Sequence, residues 1–315
     1  MTLSTPDSEA DSIERYLADH LGREVRVGVM LGTPRANQKP VLQVFSLDGD
    51  VVAFVKVGHN ELTSALVRGE AEALRRLAQH RPGSFRPPRL LHHGQWRSME
   101  VLVQSVLSGD LGLHATAGQR TTAMSELARL FGTRSERLVD SDFFGTIGAR
   151  VDEVADPDLE RRLRRCRQQI ADLWGDSVLE LGAWHGDWGH WNMALTSEAV
   201  QLWDWERFDA DVPVGFDGVH FQAQVVRPTA SDRSEQESQF LERVPGELLS
   251  CGVPPGRHRL VLALYLLEVG VRYATDLNHP TGEHVRRRCE WAVELLEREI
   301  ETDSSTEHVR GTHTP

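Results

Sequence analysis

The chain has 315 residues, enough for two sizeable cores. Its formal net charge of −12 argues against a nucleic-acid partner. With no basic-then-apolar leader, no apolar run of membrane-spanning length and three scattered cysteines (Cys166, Cys251, Cys289) without metal-site spacing, the expectation is a cytoplasmic globular protein with no membrane contact.

Residues 8–21 read as an amphipathic helix, with Ile13, Tyr16, Leu17 and Leu21 on one face. The period then shortens to two. Val25–Leu31, Val41–Phe45 and Val51–Val57 alternate like strands, the last two joined by the turn-like Asp48-Gly49-Asp50. Glu61–Gln79 returns to helical spacing, Pro87-Pro88 breaks it, and Arg89–His93 and Met99–Val106 are strand candidates. Beyond Asp110 the texture is helical: 116–131, 158–174, 216–225, 234–249, 257–277 and 283–301 all fit helices. The arginine-rich run from Arg161 to Arg167 reads as a solvated helix face, flanked by Asp158, Glu160 and Asp172. The polar tail 303–315 reads as disordered. The expected organisation is a sheet-rich lobe over 1–106 with its leading helix, a helical lobe over 107–302, and that tail. A nucleotide is expected between lobes.

One segment reads His185-Gly186-Asp187-Trp188-Gly189-His190-Trp191-Asn192, followed by Trp203-Asp204-Trp205-Glu206. Phosphoryl transfer needs a carboxylate to orient a hydroxyl and take its proton, and hard oxygen ligands for Mg²⁺. Asp187 suits the first task, the Asn192 amide and Asp204 carboxylate the second. Gly186 permits backbone geometry that a side chain hinders. The chain holds only two lysines, Lys39 and Lys56. Lys56 interrupts an apolar strand, where an ammonium is costly unless paired. Glu70 on the next helix is the expected partner and Glu72 the alternative, since helix rotation decides between them.

The ordered set Lys56, Glu70, His185–Asn192 and Trp203–Glu206 resembles the aminoglycoside phosphotransferase and choline kinase family. The resemblance implies an α+β, bilobal protein-kinase-like fold: a small antiparallel-sheet lobe with one main helix, then a larger, mainly helical lobe. It implies ATP and Mg²⁺, and a small-molecule hydroxyl as acceptor, aminoglycoside-like or an amino alcohol. Asp187 would be the catalytic base, Asn192 and Asp204 the metal ligands, Lys56 the phosphate contact, and Gln104, Ser105 and Val106 the hinge that meets adenine. An aspartate near Asp217 would brace the catalytic loop. The nucleotide loop Leu31–Gln38 departs from the pattern, with one glycine in place of G-x-G-x-x-G.

A catalytically silent nucleotide-binding protein of the same fold is the alternative; intact Asp187, Asn192, Asp204 and Lys56 argue against it. His185 and His190 lack the i, i+4 spacing of a helical zinc site. The tryptophans around the motif read mainly as packing, with Trp188 a candidate for lining the acceptor pocket. Asp209 and Asp211 read as solvated loop carboxylates. Acceptor specificity is expected from 209–226 and 257–278, and the oligomeric state is open.

Overall fold

The structure, a computed structural model, describes residues 12–30, 38–107, 116–196, 199–226, 232–278 and 282–311. The start of the expected leading helix, most of the loop Leu31–Gln38, the end of the expected link between lobes and the last four residues of the tail lie outside these.

In chain order the first elements are α1 (Ile13–Leu21), β1 (Arg26–Met30), β2 (Val41–Phe45), β3 (Val51–Gly58), α2 (Glu61–Leu77), β4 (Phe85–Arg86), β5 (Leu90–Trp96) and β6 (Met99–Ser105). Then follow α3 (Ala117–Arg129), β7 (Arg134–Arg137), α4 (Asp142–Asp152), α5 (Pro157–Trp174) and β8 (Val178–Trp184). The chain continues with β9 (Met193–Leu195), β10 (Val200–Leu202), β11 (Asp209–Pro213), α6 (Phe216–Val226), α7 (Arg233–Ser250), α8 (His258–Asp276) and α9 (Arg286–Gly311). The backbone of α9 stays helical past Thr302, where the polar composition places the end of order. Extending a helix already nucleated costs little.

Two compact units result: Met1–His114 with Asn192–Phe208, and Ala115–Trp191 with Asp209–Pro315. The Asn192–Phe208 segment carries the second half of the motif, and it belongs with the sheet-rich unit. The cause is hydrogen bonding: β10 pairs with β9 on one side and, in parallel, with β4 on the other.

The first unit is built on an antiparallel sheet in the order β1-β2-β3-β6-β5. Strand alternation decides its two faces. Ala53, Val55 and Val57 of β3, with Val101 and Val103 of β6, point into a core closed by Leu17 and Ala18 of α1. Lys56 lies between Val55 and Val57 and therefore faces the other way, towards α2. Gly58 makes the tight passage into α2 possible. A Cβ there would lie 2.6 Å from the Cα of Ser64, so only glycine allows this approach. Asn60 and Thr63 close a capping box at the start of α2.

The second unit packs around α8, whose residues from Leu260 to Arg272 are all buried. A helix apolar on every side belongs at the centre of a core. Phe216, Val219 and Ala223 of α6, Leu163 and Ile170 of α5, and Leu295 and Leu296 of α9 surround it. The sheet β11-β8-β7 ends at Trp184, directly before the His185 motif. The arginines of α5 are engaged by carboxylates: Arg162 and Arg165 meet Glu297, Arg161 meets Asp158, and Arg164 meets Glu160. The three cysteines are free and buried. Among the described residues no helix is long and apolar enough to cross a membrane.

Candidate active site

In the first unit, Lys56 is 7% exposed and its ammonium lies 2.7 Å from both oxygens of Glu70. It also lies 2.5 Å from Oδ1 of Asp204. Burial disfavours the ammonium, but the Asp204 and Glu70 carboxylates outweigh it and hold its pKa above the ordinary lysine value. Glu70 is the glutamate that faces the strand. It is wholly buried, whereas Glu72 is exposed and pairs with Arg75.

Lys39, which the sequence reading left without a role, meets Glu206 in an ion pair. Both lysines of the chain thus converge on one group of carboxylates. Burial, and then the neighbouring Lys56 charge, lower the Lys39 pKa to about 8. Glu70, Asp204 and Glu206 place ligand oxygens within 4.8 Å of one another. This donor set is oxygen-only and anionic, which suits a hard divalent cation. Asn192 is buried at the start of the same hairpin, and its carbonyl accepts a hydrogen bond from the Trp203 amide at 3.0 Å. Asn192 and Asp204 are therefore held at one end of β9 and β10. Asp204 has a φ of 71°, a left-handed conformation that costs an aspartate less than most residues but still stores strain. Trp205 fixes the segment behind it: it is wholly buried, donates from Nε1 to the Leu202 carbonyl at 2.9 Å and packs on Phe85.

The hinge candidates are at the end of β6. Gln104 is buried opposite Phe54, Ser105 pairs with Ala53, and Val106 is 36% exposed just beyond the strand.

In the second unit the loop around Asp187 is braced as the resemblance implies. Asp217, in the first turn of α6, accepts hydrogen bonds from the His185 amide at 2.7 Å and the Gly186 amide at 3.2 Å. Burial pushes the Asp217 carboxyl up to about 7, against the pull of those two amides and of Arg272. Arg272 donates to the Gly186 carbonyl at 2.7 Å. Gly186 has a φ of 84°, so the peptide gripped on both sides needs glycine.

His220 contacts Asp187 directly. Its Nε2 lies 3.2 Å from Oδ1 of Asp187, while the Tyr265 hydroxyl lies 3.1 Å from its Nδ1. The carboxylate can only accept, so Nε2–H donates to Asp187 and Nδ1 accepts from the Tyr265 hydroxyl; the Gln224 side-chain amide, 3.1 Å from the same Nε2, then presents its oxygen to the ring. Burial lowers the His220 pKa, although Asp187 pulls it upward. Sequence reasoning missed both His220 and Arg272. The available signals were a histidine three residues after Asp217, hence on the same helix face, and a lone cation within the apolar run of α8.

Trp188 is wholly buried and edge-on to His185, so it packs the loop and does not line an open acceptor pocket. Trp191 is 54% exposed. Asp211 is paired with Arg134 at 2.7 Å, not free in a solvated loop.

No family model matches the chain, and no curated protein matches it in sequence. Solved structures do match. Aminoglycoside phosphotransferase APH(4)-Ia aligns with a TM-score of 0.57 at 15% identity, over 93% of this chain and 98% of that one. A thermostable mutant of that enzyme, in ternary complex with AMP-PNP and hygromycin B, gives 0.57 at 14% identity, over 93% and 98%. The Haemophilus somnus 129PT protein assigned as a fructosamine-3-kinase gives 0.54 at 13% identity, over 92% and 96%. The antiparallel-sheet unit, the helical unit and these alignments together give the chain the α+β, protein-kinase-like fold of the aminoglycoside phosphotransferases.

Proposed function

We propose that the chain is a phosphotransferase that moves the γ-phosphoryl group of ATP to a hydroxyl of a small molecule. The observation that carries this reading is the pairing of Lys56 with both Glu70 and Asp204 in one buried cluster. A strand lysine held by a helix glutamate beside an aspartate is the arrangement with which kinases of the protein-kinase type grip ATP phosphates. The fold shared with ATP-analogue-bound APH(4)-Ia supports it.

Each residue then has a task. Lys56, kept charged by its carboxylates, contacts phosphate oxygens, and Glu70 fixes its direction. Asp204 and Asn192 hold Mg²⁺, with Glu206 beside them. Mg²⁺, when bound, neutralises charge on the phosphate oxygens. Gln104, Ser105 and Val106 offer backbone groups to adenine. Asp187 orients the acceptor hydroxyl and takes its proton. The hydroxyl oxygen forms the new bond to the γ-phosphorus, the bond from that phosphorus to the bridging oxygen breaks, and its electron pair leaves with ADP.

Isothermal titration of Mg-ATP into the wild type and Asp204→Ala tests the first half. The wild type should bind with a dependence on Mg²⁺ that the variant loses. A coupled assay for ADP release over a panel of hydroxyl compounds tests the second. At least one compound should raise the rate, and Asp187→Ala should abolish the increase. ATP binding with no acceptor turned over would favour the silent, nucleotide-binding reading instead.

A further inference from the structure

The second unit contains a cavity of about 220 Å³. An apolar cavity of ~150 Å³ holds a benzene ring, so this space admits a one-ring compound with substituents. Two of its lining residues, Gln224 and Tyr265, also touch His220: the Gln224 amide lies 3.1 Å from Nε2 and the Tyr265 hydroxyl 3.1 Å from Nδ1. His220 in turn touches Asp187. The cavity therefore adjoins the support of the candidate base. It is lined by α6 and α8, the segments from which acceptor specificity is expected, and by α7 and α9.

Its polar chemistry is one-sided. Arg287 and Arg288 line it, with Tyr273, Gln236 and Trp291, and among the described residues no carboxylate does. Among the described residues neither arginine has a hydrogen bond or ion pair. Three carboxylates on or just before α9 are held by other arginines: Glu283 by Arg286, Glu294 by Arg233, and Glu297 by Arg162 and Arg165. Trp291 is 8% exposed, and its indole N–H has no partner. A buried donor without an acceptor carries a desolvation cost that a ligand oxygen would relieve. The Arg288 charge also bears on His220, which ties the cationic side of the cavity to the Asp187 network. In a chain of net charge −12, two guanidiniums and an indole N–H that have no partner among the described residues amount, around one cavity, to a local anion site.

We infer that this cavity receives the acceptor, and that the acceptor carries an anionic group, a carboxylate or a phosphate, opposite its hydroxyl. This rests on the phosphotransfer reading for the identity of the ligand as acceptor. It departs from the amino-bearing acceptors that the sequence resemblance implies. An ammonium group would meet two like charges and no counter-ion, an arrangement that selects against it. Arg287 and Arg288 bind the anion, and Tyr265, His220 and Asp187 lie towards the hydroxyl.

Four one-ring probes of nearly constant shape separate the possibilities: 4-(hydroxymethyl)benzoate, 4-(hydroxymethyl)phenyl phosphate, 1,4-benzenedimethanol and 4-(hydroxymethyl)benzylamine. Their affinities for the full chain are measured by isothermal titration, with Trp fluorescence as a second readout. The carboxylate or the phosphate should bind at least about tenfold more tightly than the amine, and Arg287→Gln with Arg288→Gln should erase the difference. Which anion wins distinguishes the two sources. Equal or tighter binding of the amine, no binding of any probe, or an unchanged preference in the double variant overturns the inference. Should the double variant melt early, Arg287→Gln alone, at an exposed position, should halve the preference or more, and an unchanged preference there overturns the inference too. ADP release is followed in parallel. Charge-selective binding without transfer would leave the anion site standing and sink the phosphotransfer reading; transfer without charge selection would do the reverse.

Discussion

His220 lies with its Nε2 3.2 Å from Oδ1 of Asp187, and the imidazole is almost wholly enclosed. It touches the candidate base and not the reacting atoms, so it is a positioning residue. His220→Ala should leave the KM for Mg-ATP nearly unchanged and lower kcat by about 10²-fold, the scale of a misplaced catalytic group. His220→Gln keeps a donor near the carboxylate and should recover part of the loss. A kcat equal to wild type in the alanine variant would remove this role.

The Lys56–Glu70 pair predicts a double-mutant cycle in stability. Lys56→Met strands Glu70, which is wholly buried, and should destabilise the protein by about 3 kcal/mol. Glu70→Gln alone leaves Lys56 with Asp204 and should cost less. The double variant should cost less than the sum, with a coupling of about 1–3 kcal/mol by urea denaturation. Additive losses would mean that the two side chains do not support each other.

Asp217 predicts a dependence on pH. Its folded-state pKa is raised to about 7 from 3.8, so its protonated form is favoured by folding. The stability it contributes is full at pH values below the unfolded pKa and is lost as the pH rises towards 7. The Tm advantage of wild type over Asp217→Asn should therefore be larger at pH 4.5 than at pH 7.5. An advantage that grows with pH would show that the two backbone amides prevail over burial.

Gly58→Ala places a methyl 2.6 Å from the Ser64 Cα, and backbone cannot yield as a side chain does. A loss of about 1–3 kcal/mol is expected, typical of overpacking. Because α2 carries Glu70, nucleotide affinity should fall with it. Unchanged Tm and affinity would mean that the β3–α2 passage has slack.

Much of this was legible where local pattern carries the information. Lys56 stood out as a charge in an alternating run, and β2, β3 and α2 follow their periods within two residues. The choice between Glu70 and Glu72 was also within reach: Val67, Glu70, Ala71 and Leu74 share the buried face, the i, i+3, i+4, i+7 set of one helix side. Other features were hidden by non-local causes. The two-residue β4 exists only because Phe85 and Arg86 pair with Val200 and Gln201. Helix α4 carries Gly145 and Gly148, which weaken its local signal; tertiary packing of Phe143, Phe144 and Ile147 supplies what propensity lacks. The cavity beside His220 draws on four helices, and no single segment announces it.

The β9–β10 hairpin belongs to the first unit but is synthesised between the two segments of the second, which has a consequence for biosynthesis. Asp204 meets Lys56 across 148 positions and Glu206 meets Lys39 across 167. When the nascent amino-terminal sheet leaves the ribosome, Lys39 and Lys56 must wait for those two partners, and β4 for its neighbour β10. Completing that sheet's unit is thereby deferred until the first segment of the helical unit, Ala115–Trp191, and the hairpin itself have been synthesised, so a chain halted before Asp204 carries a sheet unit that cannot be completed.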